Sequence, residues 1–481
     1  MLMLFGMGQM TLHVDAKNVS TFIISDSGTH SMMELLIGTL VTLTVGRYIF
    51  KGYSATGVLL SGGLLLLTIT ALMGKAVLPA SVTSTGHVAT DVFEYVRFLL
   101  VDRGGGLGML IMVLCGFAGY MSHIGANTIL VKLASKPLGI IKSPYILLVA
   151  AYLVACAMSL AVSSATGLGV LLMATLFPLM VNMGISRGAA AAVCASPAAI
   201  ILAPTSGDVV MAAQAANMEL LDFAFRLTLP ISLVAIAAMA VTHFFWQRYL
   251  DQKSDEHNEP VAPGDLITDA PGFYAILPFT PIIGVLLFDG KLGPKLDIVT
   301  IIIICLVLAA LLELVRKRNG KELLDGLQVC WRSMADAFAG VVMLLVGAGV
   351  FAQGLMGLGF IANLLGLAQS FGTGGIVIML VLVVITTLAA FTTGSGNAPF
   401  YAFVELIPHL ATSLGVNPAY LVIPMLQASN LGRTISPVSG VVVACAGMGN
   451  LSPFEVVKRT SVPVAVGLVV VILATQIMVP A

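Results

Sequence analysis

The sequence predicts an all-α membrane protein built from two inverted repeats, each with five transmembrane helices and one re-entrant hairpin. Three observations carry that prediction. Apolar residues make up 58% of the 481-residue chain and charged residues 10%, where soluble domains carry about a quarter charged. The chain superimposes on itself when shifted by roughly half its length, as transporters built from internal repeats do. Four polar, glycine-rich stretches interrupt apolar segments, and they form two matched pairs.

Taken in chain order, residues 1–32 read as a polar N-terminal extension: Met1–Met10 is too short to span and lacks the basic start of a signal peptide. About twenty apolar residues span a bilayer, and spans are expected over 34–50, 56–73, 107–124, 230–245, 273–288, 298–315, 338–360 and 462–478. Two further regions, 145–215 and 375–446, are apolar but broken by small polar residues. The segment 248–272, with Asp251, Lys253, Asp255, Glu256 and Glu259, is a hydrophilic linker. The first repeat is therefore 33–247 and the second 273–481. Basic residues set the orientation. With Arg47 and Lys51 cytoplasmic, 15 Lys and Arg fall inside and 7 outside, and Arg433 is left within the membrane. The linker is then cytoplasmic and both termini are periplasmic. The six cysteines show no metal-ligand spacing and read as small apolar filler.

A shift of 233 residues lays 195–230 onto 428–463 without a gap. Identical pairs include Ser196/Ser429, Pro204/Pro437, Ser206/Ser439, Gly207/Gly440, Asn217/Asn450, Arg226/Arg459 and Pro230/Pro463. A slightly shorter shift puts Gly184-Ile185-Ser186 on Gly415-Val416-Asn417, and Met112 and Gly116 on Met343 and Gly347. Each half holds three spans, an interrupted hairpin, a broken span and a final span. Five crossings is an odd number, so the second half runs inverted. Two pseudo-symmetric, inverted halves can open one site to either side in turn, which is what an alternating-access carrier requires.

Polar, glycine-rich backbone is tolerated at membrane depth only where protein or a water-filled cavity covers it. Ser163-Ser164-Ala165-Thr166-Gly167 and Thr392-Thr393-Gly394-Ser395-Gly396-Asn397 are expected at the tips of the two hairpins. Pro204-Thr205-Ser206-Gly207-Asp208 and Thr434-Ile435-Ser436-Pro437-Val438-Ser439-Gly440 are expected at the unwound centres of broken spans. Helices that begin there aim unpaired N–H groups and a partial positive charge at the gap, which suits a carboxylate. The substrate-binding candidates are Ser163, Ser164, Thr166, Gly167, Thr205, Ser206, Thr393, Ser395, Gly396, Asn397, Asn430, Arg433, Ser436 and Ser439. Arg433 would grip a carboxylate with its planar fork, or form a structural ion pair with Asp208; both readings stay open. Asp208 would repel an anion unless protonated or paired, and so is the candidate for the coupling ion. Glu405 and His409 share one helical face beyond the second hairpin tip and read as weaker candidates.

The runs GYSATGVL (52–59), SSATGLGVLLMATLFP (163–178), ASPAAIILAPTSGDVV (195–210), TTGSGNAPFYAFVE (392–405), IPMLQASNLGR (423–433), SPVSGVVV (436–443) and SPFEVVKRTSVPV (452–464) resemble those of the DcuC family of anaerobic C4-dicarboxylate transporters. The likeness covers nearly all of 34–480 and departs at 1–32, where similar proteins start almost directly at the first span. It implies succinate, fumarate or malate as substrate, exported or exchanged in anaerobic metabolism across a bacterial inner membrane. It also implies the ion-transporter superfamily fold, an elevator in which a scaffold domain, often dimeric, holds a transport domain carrying both hairpins. A homodimer in the lipid bilayer is expected, coupled to H+ or Na+, with no cofactor, metal or nucleic acid. The residues alone leave two other readings open: a carrier for citrate or short-chain carboxylates, and a channel-like anion pathway. An enzyme is not expected, because no nucleophile–base pair or metal cluster stands at any break.

Overall fold

A computed structural model describes residues 16–204, 206–253, 268–288, 293–363 and 375–480. Among these residues there are helices and turns and no strands. The first half runs α1 (Ala16–Phe50), α2 (Ala55–Leu72), α3 (Val88–Gly105), α4 (Leu107–His123), α5 (Ala126–Ser135), α6 (Pro144–Met158), α7 (Ala165–Asn182), α8 (Arg187–Ala195), α9 (Gly207–Ala215) and α10 (Leu229–Asp251). The second runs α11 (Thr280–Leu287), α12 (Ile298–Lys317), α13 (Gly320–Ala337), α14 (Met343–Leu358), α15 (Gly375–Thr393), α16 (Asn397–Val404), α17 (Ile407–Leu414), α18 (Pro418–Thr434), α19 (Gly440–Gly449) and α20 (Pro453–Met478).

Eight helices among the described residues are long and apolar enough to cross a membrane, or nine if α3 and α4, bent by 44°, count as one span. Two of the eight, α7 and α15, are arms of helix–turn–helix units. The halves of each broken span, α8 with α9 and α18 with α19, are each shorter than a crossing needs.

Local chemistry fixes many of the helix starts. Ser54, Asp297, Asn319 and Ser186 each accept a hydrogen bond from an N–H in the first turn of the helix they open, satisfying a donor that has no partner within the helix. Helix α1 begins at Ala16, within the stretch 1–32 expected as an extension. The stretch 16–50 holds no proline to stop it. Residues 1–15, the rest of the expected extension, lie outside the described residues, as does most of the linker at 254–267.

Helices α3 and α13 were not among the expected spans. Helix α13 is strongly amphipathic, and the two stand at corresponding places, each just before a largely buried helix. Val92, Tyr95 and Leu99 turn one face of α3 onto Val346 and Val350 of α14. Helix α13 lays Cys330 and Ser333 against Gly116 and Gly119 of α4. Their charged residues lower mean hydropathy, although the helical spacing of the apolar ones is plain.

Two sets of helix pairs stand out, joined by one continuous hydrophobic core. In one, α2 lies along α14, and α4 along α12 and α13. The approach of α2 to α14 is set at Gly63, where a Cβ would meet Phe351 N at 2.5 Å. Small residues allow such contact where no hydrophobic force drives helices together. In the other group α15 packs on α18, α10 and α18 on α20, and α7 on α8 and α19. Corresponding backbone positions repeat. Asn217 and Asn450 both adopt left-handed φ, 53° and 51°. Ser206 and Ser439 share an extended conformation ahead of α9 and α19.

Candidate functional site

Four helices begin at the interrupted stretches: α7 at Ala165, α9 at Gly207, α16 at Asn397 and α19 at Gly440. Each presents N–H groups that the preceding turn cannot satisfy. The structure brings these four starts together. Thr166 Oγ1 lies 3.2 Å from the position a Cβ on Gly440 would take, joining the first tip to the second break. Gly394, at φ +70°, lets the second tip approach the backbone of Val438 and Ser439 within 3 Å of its own Cβ position. Gly396 abuts the carboxamide of Asn430, and Gly207 faces the hydroxyl of buried Tyr401.

Helix α18 links the two breaks. Gln427, Asn430 and Arg433 lie on its successive turns, and each reaches into the first broken span. Gln427 bonds the backbone of Ile201. Asn430 Nδ2 donates to Asp208 Oδ2 at 3.1 Å, and Arg433 Nη2 donates to the Ala198 carbonyl at 3.0 Å. Asp208 also accepts from Ser206 Oγ. Arg433 and Asp208 form no direct ion pair among the described residues, although they stand near enough to act on each other through space. The physical reason is local: Asp208, in the first turn of α9, is satisfied by neutral donors, while the guanidinium is drawn to a carbonyl freed by the break.

Polar capacity is left over here. Asn430 Oδ1, Arg433 Nε, Ser436 Oγ and Ser439 Oγ are buried without a hydrogen-bond partner. Buried polar groups are ordinarily satisfied, and four unsatisfied ones fall here within ten residues of chain.

The remaining predicted residues divide. Ser164 caps α7 by accepting from Gly167 N at 3.1 Å, while Ser163 and Thr166 are exposed beside it. Ser395 Oγ accepts from Ala398 N at 3.3 Å, and Thr393 Oγ1 donates to Ala389 O at 2.7 Å. These hydroxyls shape the tips. Asn397 opens α16 and is half-buried. Thr205 lies outside the described residues. Glu405 stands apart from the breaks. It accepts from Arg103 Nη2 at 2.9 Å, and with His409 it lines a separate cavity of ≈ 560 Å³ between α3, α14 and α17. Sequence reasoning missed Gln427 and Tyr401. The available signal was a glutamine within an apolar helix, where an amide must find buried partners.

The family model described as C4-dicarboxylate anaerobic carrier matches residues 33–480. The anaerobic C4-dicarboxylate transporter DcuC of Escherichia coli K12 is 69% identical over 450 residues, which cover 94% of this chain and 98% of that protein. The probable anaerobic C4-dicarboxylate transporter DcuC of Vibrio cholerae is 62% identical over 453 residues, covering 94% and 99%. Among solved structures, the Alcanivorax borkumensis YdaH transporter aligns with a TM-score of 0.58 at 18% identity, over 88% of this chain and 97% of that one. MtrF of Neisseria gonorrhoeae, from a class of antimetabolite efflux pumps, aligns with a TM-score of 0.58 at 14% identity, over 88% and 94%. These two likenesses are of fold.

Proposed function

The chain belongs to the DcuC family of C4-dicarboxylate anaerobic carriers, and from that premise we propose that it is a secondary transporter of succinate, fumarate and malate in a bacterial inner membrane. The observation that carries this reading is the convergence of four helix starts on Asn430, Arg433, Ser436 and Ser439, all with unspent polar atoms. A C4-dicarboxylate has two carboxylates. One is held by the Arg433 guanidinium, whose planar fork suits a carboxylate. The other is held by the neutral donors and N–H groups of the tips and breaks. Asp208 carries the coupling ion, H+ or Na+, beside the substrate.

The two helix groups supply the moving parts. Helices α6–α10 and α15–α20, which hold all four breaks, form the transport domain, and the group around α2, α4, α12 and α14 forms the scaffold of a homodimer. The second half is inverted relative to the first, both termini are periplasmic, and the carrier works as an elevator, exporting succinate or exchanging it. The deciding experiment is counterflow in proteoliposomes with labelled succinate against a panel of unlabelled mono-, di- and tricarboxylates. Competition by C4-dicarboxylates alone supports the reading. Stronger competition by citrate or by short-chain monocarboxylates overturns the substrate, and unitary currents in planar bilayers overturn the carrier.

A further inference from the structure

Gln427 is fully buried and uses all of its amide. Its Oε1 accepts from Ile201 N at 2.9 Å, and its Nε2 donates to Ile201 O at 3.2 Å and to Ser232 Oγ at 3.1 Å. Ile201 sits in the extended stretch between α8 and α9, where neither its N–H nor its C=O has a helical partner. One side chain of the second repeat thus pairs with both backbone groups of Ile201, whose carbonyl also accepts a longer bond of 3.4 Å from Ser232 Oγ. Buried backbone groups must be paired, and a carboxamide matches a peptide group with one acceptor and one donor.

The repeat does not reproduce this contact. Under the 233-residue shift Gln427 falls on Cys194, Ile201 on Thr434 and Ser232 on Ala465. At the second break the Thr434 carbonyl instead accepts a single hydroxyl, Thr460 Oγ1, at 3.3 Å. The two-point clamp on Ile201 is therefore replaced, at the matching position of the second break, by one longer bond.

We infer that Gln427 is a positioning residue for transport: it fixes the unwound backbone at Ile201 so that Ser206 and Asp208, a few residues further on, keep their place against Asn430. It does not touch the substrate. This rests on the carrier reading given above for its functional consequence, but not for the clamp itself.

Two measurements on the full-length protein separate those parts. The first is amide hydrogen exchange on purified protein. Gln427→Met keeps the side chain's length and loses all three bonds, and exchange across 198–206 should quicken roughly tenfold or more while 431–439 stays unchanged. The second is succinate counterflow. In Gln427→Met the KM should rise about tenfold, with the maximal rate per inserted protein within about threefold of wild type. Gln427→Glu supplies the conservative rescue, because a protonated carboxyl again offers Ile201 one donor and one acceptor. Its KM relative to wild type should approach one at pH 5 and diverge by pH 8. Unchanged exchange across 198–206 overturns the clamp. Quickened exchange with unchanged KM, or a pH-independent Gln427→Glu, overturns the positioning role. If Gln427→Met does not insert, Gln427→Glu carries both measurements through its pH dependence. Absence of wild-type succinate counterflow sinks the carrier reading instead, and hydrogen exchange still decides the clamp.

Discussion

Asp208 bonds Asn430 and Arg433 bonds the Ala198 carbonyl, without a direct bond between the two charges, and that separates the variants that test them. Arg433→Lys keeps the charge and loses the fork. Its succinate affinity should fall by more than tenfold, with monocarboxylate competition little changed, as counterflow would report; equal losses for both classes would remove Arg433 from carboxylate recognition. Asp208→Asn should abolish net transport driven by a pH gradient and preserve succinate exchange, because exchange needs only the loaded carrier to move. Unchanged pH-driven flux would remove Asp208 from coupling. At this scale the sequence was legible where residue type is unusual for its place. A lone arginine in an apolar region and serines beside Pro204 and Pro437 announce themselves. Gln427 did not, since nothing in a one-dimensional reading shows that Ile201, more than two hundred residues away, needs both of its backbone groups satisfied.

The helix starts and tips were legible from Gly, Pro and Ser clusters, whose conformational preferences are local. Gly394 illustrates the strength of that signal. Its φ of +70° and its approach to Val438 O, at 2.8 Å from the Cβ position, leave no room for a side chain. Gly394→Ala should therefore displace the second tip and abolish counterflow with membrane insertion intact; wild-type affinity in that variant would detach the tip from the site. Ser164→Ala removes a cap worth about 1 kcal/mol, so a several-fold loss of affinity is expected from the same assay. Helices α3 and α13 were less legible. Asp91, Glu94, Arg97, Asp102 and Arg103 on the one, and Lys321, Glu322, Asp325, Arg332 and Asp336 on the other, lowered hydropathy below what a span requires. Their pairing with α14 and α4 is a tertiary fact that supplies the apolar environment composition alone did not indicate.

For the whole molecule, the order of elements followed from the repeat, while the helix pairings did not, because offsets say nothing about which helices touch. In the proposed division into two groups, the Arg103–Glu405 bridge joins α3 to the segment that follows the second hairpin tip. Under the 231-residue shift of Gly184 onto Gly415, their counterparts are Met334 and Ala174, so the repeat does not reproduce this bridge. If the two groups slide past each other, this contact opens in every cycle and favours one facing of the carrier. Glu405→Gln should then change the rate of succinate exchange several-fold with little change in KM. A change confined to KM would place Glu405 in binding instead.

The proposed coupling ion on Asp208 has an electrical consequence. A dianion that crosses without it brings two negative charges along, and each is worth about 2.3 kcal/mol per 100 mV, whereas one H+ or Na+ carried with the dianion would cancel half of that work. A negative interior should drive uncoupled succinate efflux, whereas exchange of dianion for dianion, which moves no net charge, should reach the same extent at any clamped potential.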